Sequence, residues 1–231
     1  MKPLLIFDMD GVLAEVSESY RESIVATVHH FTGTTVTPER IQEYKNHGGY
    51  NNDWLLSQQL CRDLGVDVPY ETVVDYFCQI FFGENNDGLI AREKWIPNDG
   101  LLERLAATRQ LAIFTGRNRA EASVTLNRFA ASIPFEPVMT TDEVPNGKPA
   151  PDGLRMIMQR FPAPGYCYVG DTVDDARSAR AAGVPFIGIA APDSPWHVEL
   201  ATVLKAEGAF AVLDDVNQIE GVLPPHENRQ S

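Results

Sequence analysis

The sequence predicts an α/β fold: a parallel sheet flanked by helices, with an inserted α-helical segment after the first strand. Three observations predict it. Short apolar runs alternate with longer amphipathic segments, which is the pattern of a parallel sheet covered on both faces. From Ser17 to about Gly83 that alternation gives way to helical periodicity with no convincing strand. The apolar runs also end abruptly in polar residues such as Asp8, Thr115 and Asp171, and in parallel sheets ligands bind beyond the carboxyl ends of the strands.

In chain order, LLIFD (Leu4–Asp8) is the first strand, an apolar run stopped by charge. Asp10 follows two positions later, and Gly11 gives the turn freedom. In the insert, Tyr20, Ile24, Val28 and Phe31 recur at helical spacing, and Gly33 follows the end. Thr37 and Pro38 read as the N-cap and first turn of a second helix, which fades at NHGGYNN. Asp53 to Leu64 is a third helix, stopped by Gly65, and Tyr70 to Phe82 a fourth, stopped by Gly83. Trp54, Phe77, Phe81 and Phe82 are expected in the core of this insert. Its junctions, Ala14–Val16 and Gly83–Glu93, are hinge candidates. Beyond them come strands at Leu111–Thr115, Tyr166–Gly170 and Phe186–Ile189, with a weaker one near Pro137–Thr140. Helix patterns lie at Asn98–Ala107, Asn118–Ala130, Pro151–Phe161 and Thr172–Ala182. The expected division is residues 1–14 and 95–231 for the α/β core and 15–94 for the insert; PPHENRQS reads as a loose tail.

Composition narrows the partners. The 231 residues are 44% hydrophobic and 22% charged, which is globular composition. A net charge of -13 repels phosphate backbones and anionic lipid, so neither nucleic acid nor a membrane is expected as partner. A small anionic substrate remains compatible, because a local cation or metal reverses the sign inside a pocket. The three cysteines, Cys61, Cys78 and Cys167, fit no metal or redox spacing and are expected as buried reduced thiols. The N-terminal apolar run is too short for a signal peptide, and no stretch approaches membrane-spanning length. A cytoplasmic protein, monomer or homodimer, is expected.

The residues after the strands carry the chemistry. The first strand delivers Asp8 and Asp10, and the second Thr115, Gly116 and Arg117. The loop after the weaker strand carries Lys148, and the strand ending at Gly170 leads into Asp171, Asp174 and Asp175. This inventory fits phosphoryl transfer to a carboxylate nucleophile. Clustered carboxylates repel unless a hard cation sits among them, and Mg²⁺ takes oxygen ligands. It would neutralise a phosphoryl group approaching Asp8. Thr115 and the Gly116 N–H can hold phosphoryl oxygens, and Lys148 can balance the developing charge. Asp10 can protonate the leaving oxygen and then activate water.

DMDGVL, FTGR, GKPAPD and GDTVDD resemble, in order, the four motifs of the haloacid dehalogenase-like hydrolase superfamily. The helical insert resembles the cap of its subfamily I, the group that includes phosphoglycolate phosphatase and β-phosphoglucomutase. The resemblance implies a Rossmann-like core with a cap domain and hydrolysis of a small-molecule phosphate ester through an aspartyl-phosphate. It implies Asp8 as nucleophile, Asp10 as general acid/base, Thr115 on phosphate and Lys148 as the third-motif lysine. The metal would be held by Asp8, the Asp10 carbonyl and Asp171, with Asp175 as the motif's second acidic position. Asp174 reads as a first-turn acid favoured by the helix dipole.

Asp10 separates this chain from relatives that dehalogenate, which lack a second aspartate there. No lysine lies in Ser17–Phe31 to serve as the Schiff base of phosphonate-cleaving relatives, which disfavours that chemistry and leaves Lys45 open to the role. A phosphomutase shares the core motifs and is the alternative; a non-catalytic binding module is disfavoured by the complete motif set. Glu15 and Val16 depart from the residues that both well-known subgroups carry there, and Tyr20 aligns with a histidine of the mutases. KNHGGYNNDW (Lys45–Trp54) reads either as a substrate-specificity loop or as a plain helix–helix turn. Lys45, Asn51, Arg117 and Tyr20 are the candidate substrate-reading residues, with a salt bridge as the other reading for Arg117.

Overall fold

The computed structural model describes residues 1–50 and 52–223. The chain opens with β1 (Leu4–Phe7), whose four residues are all buried. Each such side chain contributes about 1.5–3 kcal/mol on leaving water, which fixes the strand in the middle of the sheet. After the turn at Asp8–Leu13 comes β2 (Ala14–Glu15), then a π-helical turn at Ser17–Arg21 running into α1 (Glu22–Thr32). The helices α2 (Pro38–His47), α3 (Asp53–Asp63) and α4 (Tyr70–Phe82) follow. Their ends are set as the sequence predicts: Gly33 caps α1 at φ 71°, and Thr37 accepts the Arg40 N–H at the start of α2. The N-cap of α3 is Asn52, whose side chain accepts from the Trp54 and Leu55 N–H groups.

The chain returns through β3 (Lys94–Trp95), which pairs antiparallel with β2, so both crossings between insert and sheet are tied in one short ribbon. Two-residue strands carry too little periodicity to be seen in sequence. Then come α5 (Leu101–Thr108), β4 (Gln110–Phe114), α6 (Arg119–Phe129), β5 (Phe135–Met139), α7 (Asp152–Arg160), β6 (Tyr166–Gly170), α8 (Val173–Ala182), β7 (Phe186–Ile189), α9 (His197–Ala206) and β8 (Ala211–Leu213). The last helix and strand extend the pattern beyond the expected elements. The main sheet has six parallel strands in the order β5-β4-β1-β6-β7-β8.

Apolar layers cover both faces of the sheet, one including Phe7, Ile113 and Val169, the other Ile6, Phe114 and Tyr168. A third cluster fills the helical insert around Ile24, Phe77 and Phe81, with Trp54 and Phe82 against it. Of the cysteines only Cys61 is fully buried; Cys78 and Cys167 are half-buried, and all three are free thiols. No helix among the described residues is long and apolar enough to cross a membrane. The expected C-terminal tail lies outside the described residues.

Candidate active site at the carboxyl edge of the sheet

Asp8 follows the last residue of β1. Its N–H donates to the Val169 carbonyl of β6 at 2.8 Å, which carries the sheet pairing one residue further and sends the carboxylate out at the carboxyl edge. Lys148 reaches the same place from the loop after β5. Its Nζ donates to Asp8 Oδ2 at 2.9 Å and to Asp175 Oδ1 at 2.6 Å, and no side chain of the three is more than 5% exposed. Burial pushes the Asp8 carboxyl up to about 7, against the pull of Lys148. Burial also opposes the Lys148 charge, but Asp175 and Asp8 outweigh it and hold the ammonium well above a free lysine.

Asp175 is saturated. Oδ1 accepts from Lys148 and from the Tyr168 hydroxyl at 2.7 Å, while Oδ2 accepts from the Thr172 N–H at 3.0 Å and its hydroxyl at 2.6 Å. Burial alone would raise this carboxyl; the lysine and the two hydroxyls outweigh burial and hold it below its ordinary value. Asp8 Oδ1 and Asp171 Oδ1 are different, since both are buried without a hydrogen-bond partner. Oxygens of Asp8, Asp171 and Asp175 all lie within 4.8 Å of one another. Burial pushes Asp171 well up, and repulsion from Asp175 and Asp8 adds to it. Two orphaned carboxylate oxygens beside a third carboxylate are a donor set that fits a hard divalent cation. Gly11 makes the approach feasible: it sits at φ 68°, and a Cβ there would stand 2.0 Å from Asp171 Oδ2.

The Asp10 side chain turns elsewhere. Its Oδ1 takes Arg117 Nε at 2.7 Å and Nη2 at 2.6 Å. The same guanidinium donates to Glu93 at 2.9 Å and to the Thr125 hydroxyl at 2.6 Å, and its carbon lies 5.0 Å above the Tyr20 ring. Arg117 is therefore spent on ion pairs and buried, the second of its two readings. It ties Asp10 to Glu93, the residue before β3. Thr115 is buried directly after β4 and accepts the Arg117 N–H at 3.2 Å, which leaves its hydroxyl proton available to a ligand.

A cavity of about 340 Å³ opens between this edge and the insert. Asp8, Asp10, Gly116 and Asp171 line it from the sheet side, Tyr20 and Lys45 from the other. That size suits a small molecule. Lys45 pairs with Asp53 at 2.8 Å, which outweighs burial and keeps its pKa raised. Asn51 lies outside the described residues. Gly48 ends α2, and the next residue reaches the sheet side: the Gly49 N–H donates to both oxygens of Asp174, at 3.1 and 2.9 Å. Asp174 does lie in the first turn of α8, but it is a tie to the insert rather than only a dipole partner.

Sequence reading missed Tyr168, Glu93 and Glu121. A hydroxyl inside the apolar run YCYVG is a signal that Tyr168 has a buried polar partner. Glu121 was hidden by a sufficient local role: it closes a capping box with Asn118 at the start of α6. Glu93 offers no signal short of the fold, because its partner lies 24 residues away.

A family model for haloacid dehalogenase-like hydrolases matches residues 3–183. Imidazoleglycerol-phosphate dehydratase of Phytophthora nicotianae is 34% identical over 90% of this chain, and the chain spans about half (49%) of that relative's length. Phosphoglycolate phosphatase of Mesorhizobium japonicum is 21% identical over 81% of this chain and 82% of its own. The fold is shared with a haloacid dehalogenase-like hydrolase from Bacteroides fragilis, at a TM-score of 0.77 and 20% identity over 95% of this chain and all of that one. The chain belongs to the haloacid dehalogenase-like hydrolases.

Proposed function

We propose that the protein is a Mg²⁺-dependent phosphatase that hydrolyses a small-molecule phosphomonoester through a phosphorylated Asp8. The observation that carries this reading is the pairing of Lys148 with Asp8 Oδ2 while Asp8 Oδ1 and Asp171 Oδ1 lack any partner. Asp8 Oδ1, Asp171 Oδ1 and the Asp10 carbonyl would hold the metal; when bound it supplies charge neutralisation for an incoming phosphoryl group. Asp175, expected among the ligands, serves better as the anchor of Lys148, because four donors already occupy its oxygens.

The remaining steps belong to the chain. Asp8 attacks phosphorus in line with the leaving oxygen. Thr115 and the Gly116 N–H receive the phosphoryl oxygens, and Lys148 stabilises the charge that develops on them. Asp10 gives a proton to the leaving alcohol. It then takes one from the water that cleaves the acyl phosphate, which regenerates Asp8. Arg117 holds one oxygen of Asp10 throughout, so the acid/base does not wander between the two half-reactions.

The test is phosphate release from p-nitrophenyl phosphate and a phosphomonoester panel under Mg²⁺. The panel includes an imidazole-bearing ester, because the Phytophthora relative is named for a phosphorylated imidazole compound. Release that is lost on chelation and abolished in Asp8→Asn supports the reading. No release from any ester by metal-replete protein overturns it, and interconversion of isomeric sugar phosphates with little free phosphate would make the protein a mutase.

A further inference from the structure

The cavity has a second polar wall that the phosphoryl chemistry does not use. Glu121, in the first turn of α6, lines it and is 3% exposed. Its Oε2 accepts the Asn118 N–H at 3.0 Å, but Oε1 is buried with no partner. The Tyr20 hydroxyl, from the other side of the cavity, is also buried without a hydrogen bond of regular geometry, although it lies near enough to ease the ionisation of Glu121. Both residues line one cavity, and a buried carboxylate oxygen whose polar neighbour is a hydroxyl outside regular hydrogen-bond geometry is costly unless a ligand completes it.

The local charge says which ligand. Arg117 is the cation that acts electrostatically on Glu121, and Asp10 and Glu93 already pair with it directly. Three carboxylates thus surround one guanidinium, and the one without its own ion pair faces the cavity. Burial pushes Glu121 up to about 7 despite Arg117, a cost that an incoming positive charge would remove. Of the other cavity cations, Lys45 is paired with Asp53 and Arg21 donates to Gln42. Asp10, which serves the leaving oxygen, is within electrostatic reach of Glu121, so the wall borders the alcohol part of a substrate rather than its phosphoryl group.

We propose that Glu121, with the Tyr20 hydroxyl, binds a cationic nitrogen on the alcohol portion of the substrate, so that the substrate class is an amino- or imidazolyl-alkyl phosphomonoester. This rests on the phosphatase reading above and deepens it. Glu121 Oε1 accepts the N–H, and the Tyr20 hydroxyl oxygen takes a second one or orients the carboxylate.

The experiment compares kcat/KM under Mg²⁺ for 2-aminoethyl phosphate, 3-(imidazol-4-yl)propyl phosphate, n-propyl phosphate and phosphoglycolate, with p-nitrophenyl phosphate as a reporter of core chemistry. A cationic ester should exceed n-propyl phosphate by about ten- to a hundredfold, the range of one charge-assisted hydrogen bond. In Glu121→Gln that ratio should collapse toward one through KM. Glu121→Asp, which keeps the charge but shortens the reach, should fall between. Hydrolysis of p-nitrophenyl phosphate without a cationic preference overturns the proposal. So does a preference for phosphoglycolate, or a folded Glu121→Gln protein, shown by a cooperative melt no lower than the parent's, whose ratio is unchanged. Failure on every ester including p-nitrophenyl phosphate instead strikes the phosphatase reading itself.

Discussion

Replacing Glu121 by Gln should stabilise the free protein at alkaline pH and leave its stability nearly unchanged at acidic pH. The carboxyl sits at about 7 in the fold against an ordinary value of 4.5. An acid whose pKa is raised by folding binds more protons native than unfolded between those values, so stability falls as pH rises through that window. The penalty is small at pH 4.5 and complete above pH 7. At 1.36 kcal/mol per pH unit it reaches about 3 kcal/mol at pH 8, or roughly 6–12 °C in melting temperature for a chain of this length. The groups facing Glu121 from neighbouring elements are Arg117, Asp10, Tyr20 and Cys78; removing the charge relieves repulsion from Asp10 and forfeits attraction to Arg117. Gln can still accept the Asn118 N–H, so the capping box survives. Urea unfolding of both proteins from pH 4.5 to 8.5 without Mg²⁺ reads the difference directly, and any constant offset between amide and acid cancels in its pH dependence. A variant whose advantage does not change with pH would refute the reasoning, since Glu121 would then titrate alike in folded and unfolded chains.

Three further outcomes are expected. Mg²⁺ at a hundred times its Kd should add about 2.7 kcal/mol of stability by completing Asp8 Oδ1 and Asp171 Oδ1, and Asp171→Asn should lose that increment in a thermal scan. Arg117→Met strands Glu93, which is 1% exposed; it should cost about 3–5 kcal/mol and lower kcat as well, whereas native stability would show the ion pairs to be idle. Asp174→Ala cuts the tie to Gly49 and should raise KM by about tenfold, the worth of one lost charged hydrogen bond, with a smaller change in kcat on p-nitrophenyl phosphate; the reverse pattern would place Asp174 in the chemistry instead.

The parallel sheet was legible because β1, β4, β6 and β7 are short apolar runs that end in the residues the site needs, so a period and a boundary coincide. Helix ends were legible wherever capping chemistry is local, as at Gly33, Thr37 and Gly83. The β2–β3 ribbon was not, because two-residue strands have no period, and β8 is only three residues long. In the site, Asp8, Lys148, Asp171 and Asp175 could be placed together from strand order alone. How they divide the work could not. That Asp175 is consumed by Lys148, Tyr168 and Thr172 depends on side-chain reach across β6 and the loop before α7. The same holds for Arg117, whose partners come from the first turn, from Glu93 before β3 and from α6: a sequence can show a cation after a strand but not how many anions converge on it.

The central claim is that Asp8 carries the phosphoryl group between two half-reactions served by Asp10. The most direct test is acid-quenched peptide mass spectrometry of Asp10→Asn protein mixed with p-nitrophenyl phosphate and Mg²⁺. The activated aryl ester needs little help in leaving, while hydrolysis of the acyl phosphate needs the missing base. One phosphoryl group should therefore accumulate on the peptide holding Asp8 and vanish in Asp8→Asn/Asp10→Asn. Steady turnover with no phosphoryl group on that peptide, or its appearance on another residue, would contradict the account.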